Sequence, residues 1–260
     1  MTYCLAIRVD KGLVFCADSR TNAGIDNVNS YSKMHRFAPG PGRHFTLLSS
    51  GNLATTQAVV KKLRDDIKRA AAPNLQSVTS LEEAVDYVGM TSAAVQRQQA
   101  ERDISTTGFE ATFIFGGQIA EHKPEIFLVY PQGNYIHESR EHPFLQVGEI
   151  KYGKPILDRV IVPALDLERA ARCALVSMNS TVRSNATVGP PIDLLIQRAN
   201  VFDGGRFLHL SEDDPFLQAV SRQWSAGLFQ ALEGLPPFDW EGREETPAST
   251  GHIYPFPPTP

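Results

Sequence analysis

The order of strand and helix patterns constrains this chain's fold more than any other feature. A block of strand-like runs is followed by helical ones, and the sequence then repeats that order. The first block opens with Tyr3 to Val9 and Leu13 to Ala17, joined by Asp10-Lys11-Gly12, which has the composition of a tight hairpin turn. In both runs larger residues (Leu5, Ile7, Val14) alternate with small ones (Cys4, Ala6, Cys16, Ala17), the pattern of strands covered on both faces. Lys33 to Phe37 and His44 to Ser50 flank Pro39-Gly40-Pro41-Gly42 and predict a second hairpin. Helical periodicity then takes over: Leu53, Val60, Leu63 and Ile67 share one face, with Lys61, Lys62, Arg64, Asp65 and Asp66 on the other side. Ser80 and Glu83 form a capping box that opens a second helix, with Leu81, Val88 and Val95 along one face.

The second half predicts strands around Ala111 to Phe115, Ile126 to Tyr130 and Phe144 to Val147, then helices near Ile156 to Val160 and Leu167 to Val182. A strand fits Ile192 to Ile196, and Asp214-Pro215 starts a last helix with Phe216, Val220, Trp224, Leu228 and Leu232 on an i+4 stripe. Blocks of like elements predict an α+β fold rather than alternating βαβ units, with two sheets face to face and helix pairs outside. The apolar stripes of the first helix pair are interrupted by Lys, Arg and Asp, which leaves part of each helix to face a neighbouring subunit as well as its own sheet. After Gly234 the composition turns proline-rich, so residues 1–235 form the folded domain and 236–260 a tail of polyproline II character.

Composition narrows the function classes. An apolar content near the globular average argues against wholesale disorder, collagen-like repeats or a disulfide scaffold. Lys+Arg 25 against Asp+Glu 29 gives a net charge of −4, so nothing calls for nucleic acid or an anionic membrane as partner. Cys4, Cys16 and Cys173 cannot all pair within the chain and suggest a reducing compartment. The first apolar stretch is cut by Arg8 and Asp10 before a signal-peptide core forms, and no uncharged apolar run reaches spanning length, so the expectation is a cytoplasmic protein. The glycosylation sequons at Asn179 and Asn185 are then chance matches.

Thr2 is the most consequential position. A threonine exposed by removal of Met1 combines a nucleophilic hydroxyl with its own α-amine, whose pKa of about 8 suits a general base. Asp18 ends the second strand and Lys33 enters the third. If the three strands lie side by side, the Asp18 carboxylate and the Lys33 ammonium both reach the chain start. The lysine would lower the pKa of the hydroxyl and amine by its charge, and the carboxylate would hold it protonated.

Thr2, Asp18-Ser19-Arg20, Ser32-Lys33 before Met34-His35, and Ser50-Gly51-Asn52-Leu53-Ala54 resemble the active-site motifs of proteasome β subunits and bacterial HslV peptidases. Within that group the sequence is most similar to the Anbu family, the ancestral β subunit. Asp18 through Gly24, Lys151-Tyr152-Gly153-Lys154-Pro155 and Pro191-Ile192-Asp193-Leu194-Leu195 carry this resemblance. It covers nearly the whole chain to about Leu232 and implies a four-layer αββα sandwich of the Ntn-hydrolase type acting as a threonine peptidase through an acyl-enzyme. It implies Thr2 as nucleophile, Asp18 as orienting acid, Lys33 as cationic tuner and Gly51 as oxyanion donor. Arg20, Thr21, Asn22 and Ser50 are its implied substrate-binding residues. A homo-oligomer, a ring or open ring, is implied by the resemblance alone; neither a cofactor nor a metal is, and an ATPase partner is left open.

Three departures from the proteasome pattern stand out. The Asp18-to-Lys33 spacing is one residue shorter. Glu149 follows Gly148 where a serine is expected, and Asn185 and Val188 stand where an aspartate and a serine are expected, with Thr187 the nearest hydroxyl. They leave a second reading open, a non-catalytic ring-forming scaffold. Elsewhere, His137 and His142 lack evident further metal ligands, Cys4 reads as a small buried filler, and Gly204-Gly205 reads as a turn.

Overall fold

The computed structural model describes residues 2–22, 28–102 and 108–241. The first hairpin is β1 (Tyr3–Val9) and β2 (Gly12–Asp18), followed by a short ribbon of β3 (Arg20–Asn22) and β4 (Val28–Ser30). The second hairpin, β5 (Met34–Gly40) and β6 (Arg43–Gly51), leads into α1 (Leu53–Arg69) and α2 (Leu81–Arg102). The second half runs β7 (Ala111–Ile119), β8 (Glu125–Val129), β9 (Tyr135–His137) and β10 (Phe144–Gly148), then α3 (Lys154–Val160) and α4 (Leu167–Ser184). It ends with β11 (Ile192–Arg198), β12 (Arg206–Leu210) and α5 (Pro215–Glu233).

Two five-stranded antiparallel sheets result, ordered β10-β1-β2-β11-β12 and β5-β6-β7-β8-β9. Three apolar clusters mark the contacts between layers. Leu5, Ile7, Val14 and Leu194 pack on Leu157 of α3 and on Leu167, Ala174 and Met178 of α4. Phe45, Leu47, Phe113 and Phe115 pack on Val59 and Leu63 of α1 and on Val85 and Val88 of α2. Between the sheets, Cys4, Ala6 and Phe15 meet Leu48, Ile114 and Ile126. The order of layers is therefore α, β, β, α, as the block pattern predicts. Each face of β2 feeds a different cluster, which explains why all seven of its residues are buried.

Four strands were not legible in the sequence: β3, β4 and β9 are too short to show a period, and β12 is mostly exposed. The first helix pair packs on the second sheet. Its apolar stripes are covered by its own sheet, and Met90 is the one exposed large apolar residue described on α1 and α2. By compactness the chain divides at residues 1–223 and 224–260. The second part carries the exposed apolar residues Leu228, Phe229, Leu232 and Leu235, and Phe238 and Trp240 stack with ring centroids 4.8 Å apart. Tail residues beyond 241 lie outside the described part. Among the described residues no helix is long and apolar enough to cross a membrane, and Cys4, Cys16 and Cys173 are all free and buried.

Candidate active site

Backbone contacts fix the start of β1 on both sides. The Glu149 N–H donates to the Thr2 carbonyl at 2.8 Å, and the Tyr3 N–H donates to Asp18 Oδ1 at 3.0 Å. Gly148 has φ +84°, and a Cβ there would lie 1.8 Å from the Thr2 carbonyl oxygen, so only glycine lets the end of β10 close on the chain start. One residue on, the buried Tyr3 hydroxyl is held by Ser177 at 2.7 Å and Gln146 at 2.5 Å. The Thr2 hydroxyl has no hydrogen-bond partner among the described residues, and Thr2 lines a cavity of about 430 Å³ together with Lys33, Ser50, Gly51 and Glu149.

Asp18 and Lys33 come together, though not by the route expected. β5 lies in the facing sheet, not beside β2, so Lys33 reaches Asp18 from the segment leading into the second sheet. Its Nζ donates to Asp18 Oδ1 at 2.7 Å and to the Arg20 carbonyl at 2.8 Å. Two of the three ammonium protons are thus engaged. The Ser49 N–H, donating to the Lys33 carbonyl at 2.9 Å, ties the lysine's backbone to β6. Asp18 is fully buried, and Lys33 is 7% exposed. Burial pushes the Asp18 carboxyl up; the Lys33 charge and the N–H groups of Tyr3 and Gly189 act against that push.

Gly51 ends β6 immediately before Asn52, whose side chain accepts the Thr55 N–H at 3.1 Å and caps α1. The ladder alternation orients the Gly51 amide. Ser49 N–H bonds toward β5 and Asn52 N–H bonds to Glu110 beside β7, so the Gly51 N–H points to the β5 side, where β5 has already ended. Gly51 has φ +111°, and a Cβ would lie 2.3 Å from the Glu110 carbonyl oxygen. The glycine is therefore required by the neighbouring backbone, whatever approaches from the cavity. Arg20, Thr21 and Ser50 also line the cavity; Arg20 additionally donates to the Ala186 carbonyl at 2.8 Å. Asn22 pairs with Val28 in the ribbon, and its side chain lies outside the described part.

Two polar chains at this end were not found by sequence reasoning. Ser32, next to the lysine, donates to Asp193 Oδ2 at 2.8 Å, and Asp193 Oδ1 lies 2.6 Å from His209 Nδ1 on β12. Asp193 is 1% exposed, so this buried carboxylate of one sheet anchors the lysine-bearing segment of the other. On the other side of Thr2, Asn185 Nδ2 donates to Glu149 Oε2 at 2.8 Å, and Asn185 Oδ1 accepts from Thr187 N at 3.0 Å and from Thr187 Oγ1 at 2.6 Å. The only signal for the second chain was the pair of departures at Glu149 and Asn185, here in direct contact. Asp193 stood in a quoted motif, but nothing in the sequence pointed it at Ser32.

The remaining candidates fall outside this cavity. Cys4 is fully buried beside the site, and burial pushes its thiol up, away from the reactive thiolate. His137 Nδ1 sits 2.8 Å from the Glu138 carbonyl, and the described residues contain no group of three or more His, Cys, Asp or Glu placed to hold a metal ion. Gly204 and Gly205, both at positive φ, form the turn before β12.

An αββα sandwich with a threonine at the start of its first strand, beside a buried Asp–Lys pair, defines a proteasome-type Ntn fold. Sequence comparison agrees: residues 2–196 match the proteasome subunit family. Among solved structures, Anbu (ancestral beta-subunit) from Yersinia bercovieri is 39% identical, with a TM-score of 0.85, over 91% of this chain and 99% of that one. The helical assembly of the Anbu complex from Pseudomonas aeruginosa is 42% identical with a TM-score of 0.86, over 91% and 98% of the two chains. A Gly-1 mutant of Anbu from Hyphomicrobium sp. strain MC1 is 42% identical with a TM-score of 0.85, over 92% and 100%. A comparison with curated proteins finds no match. The chain belongs to the proteasome family and, within it, to the Anbu group.

Proposed function

We propose that this protein is a threonine-type peptidase acting through Thr2 after removal of Met1. One observation carries the reading: Thr2, whose hydroxyl has no partner among the described residues, lines one cavity with Lys33, and Lys33 is bonded to the buried Asp18 behind it. In the proposed reaction Thr2 Oγ forms a bond to the scissile carbonyl carbon as its proton passes to the freed α-amine. The Lys33 charge lowers the pKa of both groups, and Asp18 holds the ammonium in place. The Gly51 N–H donates to the oxyanion. The C–N bond then breaks, and the leaving amine takes the proton from the α-ammonium. Water attacks the resulting ester by the same route and frees Thr2. Thr21 and Ser50 in the cavity, with Arg20 and Asn22 on β3, are the proposed contacts for an extended peptide.

A non-catalytic scaffold is the second reading, favoured by Glu149 and Asn185 in place of the expected serine and aspartate. Intact mass separates the two. A chain beginning at Thr2 that cleaves fluorogenic peptides, and loses cleavage in Thr2→Ala, supports the peptidase. A chain still carrying Met1 and without turnover supports the scaffold. For assembly we propose a homo-oligomer, ring or open ring, on the strength of the Pseudomonas aeruginosa relative's helical assembly and of the exposed apolar residues from Leu228 to Trp240. The three buried free thiols fit a reducing, cytoplasmic setting.

A further inference from the structure

Next to the Thr2 cavity, with His35 between them, lies a second one of about 530 Å³, to which α1 supplies Gln57, Lys61, Arg64 and Lys68. His35 and Gln57 line both cavities, so the two are neighbours. The charge of this groove is one-sided. Lys61 is paired with Asp65, the groove's one carboxylate, while Arg64 and Lys68 form no salt bridge among the described residues. On the same helix Lys62 is bonded to Asp66 at 2.6 Å, and Arg69 lies outside the groove, where its charge acts on Asp65 and Asp66.

Folding does not account for this arrangement. Lys61, Arg64 and Lys68 stand three and four residues apart on one helix, a spacing at which like charges repel. Lys68 lies in the last turn, where the helix dipole favours a cation, but Arg64 lies further from the helix end. Arg64 also has its Cζ 5.8 Å from the centroid of the Phe37 ring, within the range of a cation–π contact. His35 adds no charge at neutral pH: burial first, then the Arg64 charge, bring its pKa down to about 4.

We propose that this groove binds an acidic segment of the substrate peptide, with Asp or Glu side chains set on Arg64 and Lys68 while the adjoining residues occupy the Thr2 cavity. This rests on the peptidase reading for the second half of the statement and on the groove's own charge for the first. The test measures binding and reaction separately. A fluorescent hexapeptide of Asp and Glu and its Asn/Gln counterpart are titrated by anisotropy into the full chain, into Arg64→Glu/Lys68→Glu, and into Lys123→Glu/Arg140→Glu as a control of equal charge change. Light scattering verifies that all three have the same oligomer size. The acidic peptide is expected to bind about tenfold tighter than the neutral one, the scale of two partly exposed charge contacts. That margin should shrink with salt and vanish only in the α1 variant. Equal affinities, or an equal loss in the control, would overturn the proposal, as would an oligonucleotide of similar length that binds tighter and displaces the peptide. A neutral peptide epoxyketone is then used to label Thr2. Slower labelling in the presence of the acidic peptide supports its place on the substrate path, and labelling unaffected by saturating peptide overturns that place. Absence of any labelling rejects the peptidase reading and leaves the anisotropy to decide the groove.

Discussion

The two ends of the β-sandwich bury polar side chains to opposite effect. At the end that holds Thr2, the charged and polar groups of Asp18, Ser32, Lys33 and Asp193 all have partners, and the bonds run from one sheet to the other. At the far end His44, Thr46, Gln118 and Gln197 are equally buried; Gln118 is bonded to Asn200 and His122, but His44 Nδ1, Thr46 Oγ1 and Gln197 Oε1 have no partner among the described residues. A buried polar group is costly when unpaired and specifies a geometry when paired. The comparison therefore separates an end where each of these groups is tied into one geometry, at the start of β1, from an end where unpaired groups stand beside a paired one.

The largest effect is expected at the first end. Lys33→Ala should slow covalent labelling of Thr2 by at least ~100-fold, the scale of losing an electrostatic or acid–base partner. It should also cost about 3–5 kcal/mol of stability, because Asp18 is left as an unpaired buried charge. Lys33→Arg should fail to restore labelling, since a planar guanidinium does not fit a site shaped for a compact ammonium. The double variant Asp18→Asn/Lys33→Met should regain most of the thermal stability and none of the labelling. Wild-type labelling in Lys33→Ala would erase the distinction between the ends.

Next in size is the anchor behind the lysine. Ser32→Ala and Asp193→Ala should each slow labelling by about tenfold, the effect of a small misplacement of a reacting group. The double variant should be no slower than the slower single one, because both remove the same hydrogen bond. Strictly additive rates would mean that Asp193 acts by another route.

At the far end the effects are on stability and carry a pH sign. Burial lowers the His44 pKa to about 4, so on acidification the unfolded chain takes up its proton first. The His44 contribution is complete above the ordinary histidine pKa and drains away as pH falls toward 4, by up to about 1.4 kcal/mol per pH unit. His44→Gln should flatten that part of a denaturation-versus-pH curve without altering labelling. Smallest of all, Thr46→Val removes a hydroxyl that has no partner and keeps the shape, so the melting temperature should hold or rise by about 2–4 °C. A clear fall would show that Thr46 Oγ1 is engaged after all and that the far end is not slack.

The sequence reveals one end better than the other for physical reasons. Thr2, Asp18, Lys33 and Gly51 are legible because each sits at a strand end within a local motif, and the block order places the layers. What it could not reveal are bonds between residues far apart in the chain: Ser32 with Asp193, and Glu149 with Asn185. His209 was hidden for a further reason, since β12 is exposed over most of its length and shows no alternation. The i+4 stripe placed α5 correctly, and Phe216, Leu228 and Leu232 on that stripe are exposed. A periodic stripe reports that a helix has an apolar side and is silent on what covers it.

The central claim, that Thr2 is a nucleophile tuned by the Asp18–Lys33 pair, is tested most directly by treating the purified protein with a peptide epoxyketone and mapping the adduct by peptide mass spectrometry. The account predicts one adduct, on Thr2 at the chain start, absent from Thr2→Ala and strongly reduced in Lys33→Ala. An adduct elsewhere, or an unmodified Thr2 in a chain already freed of Met1, would contradict it.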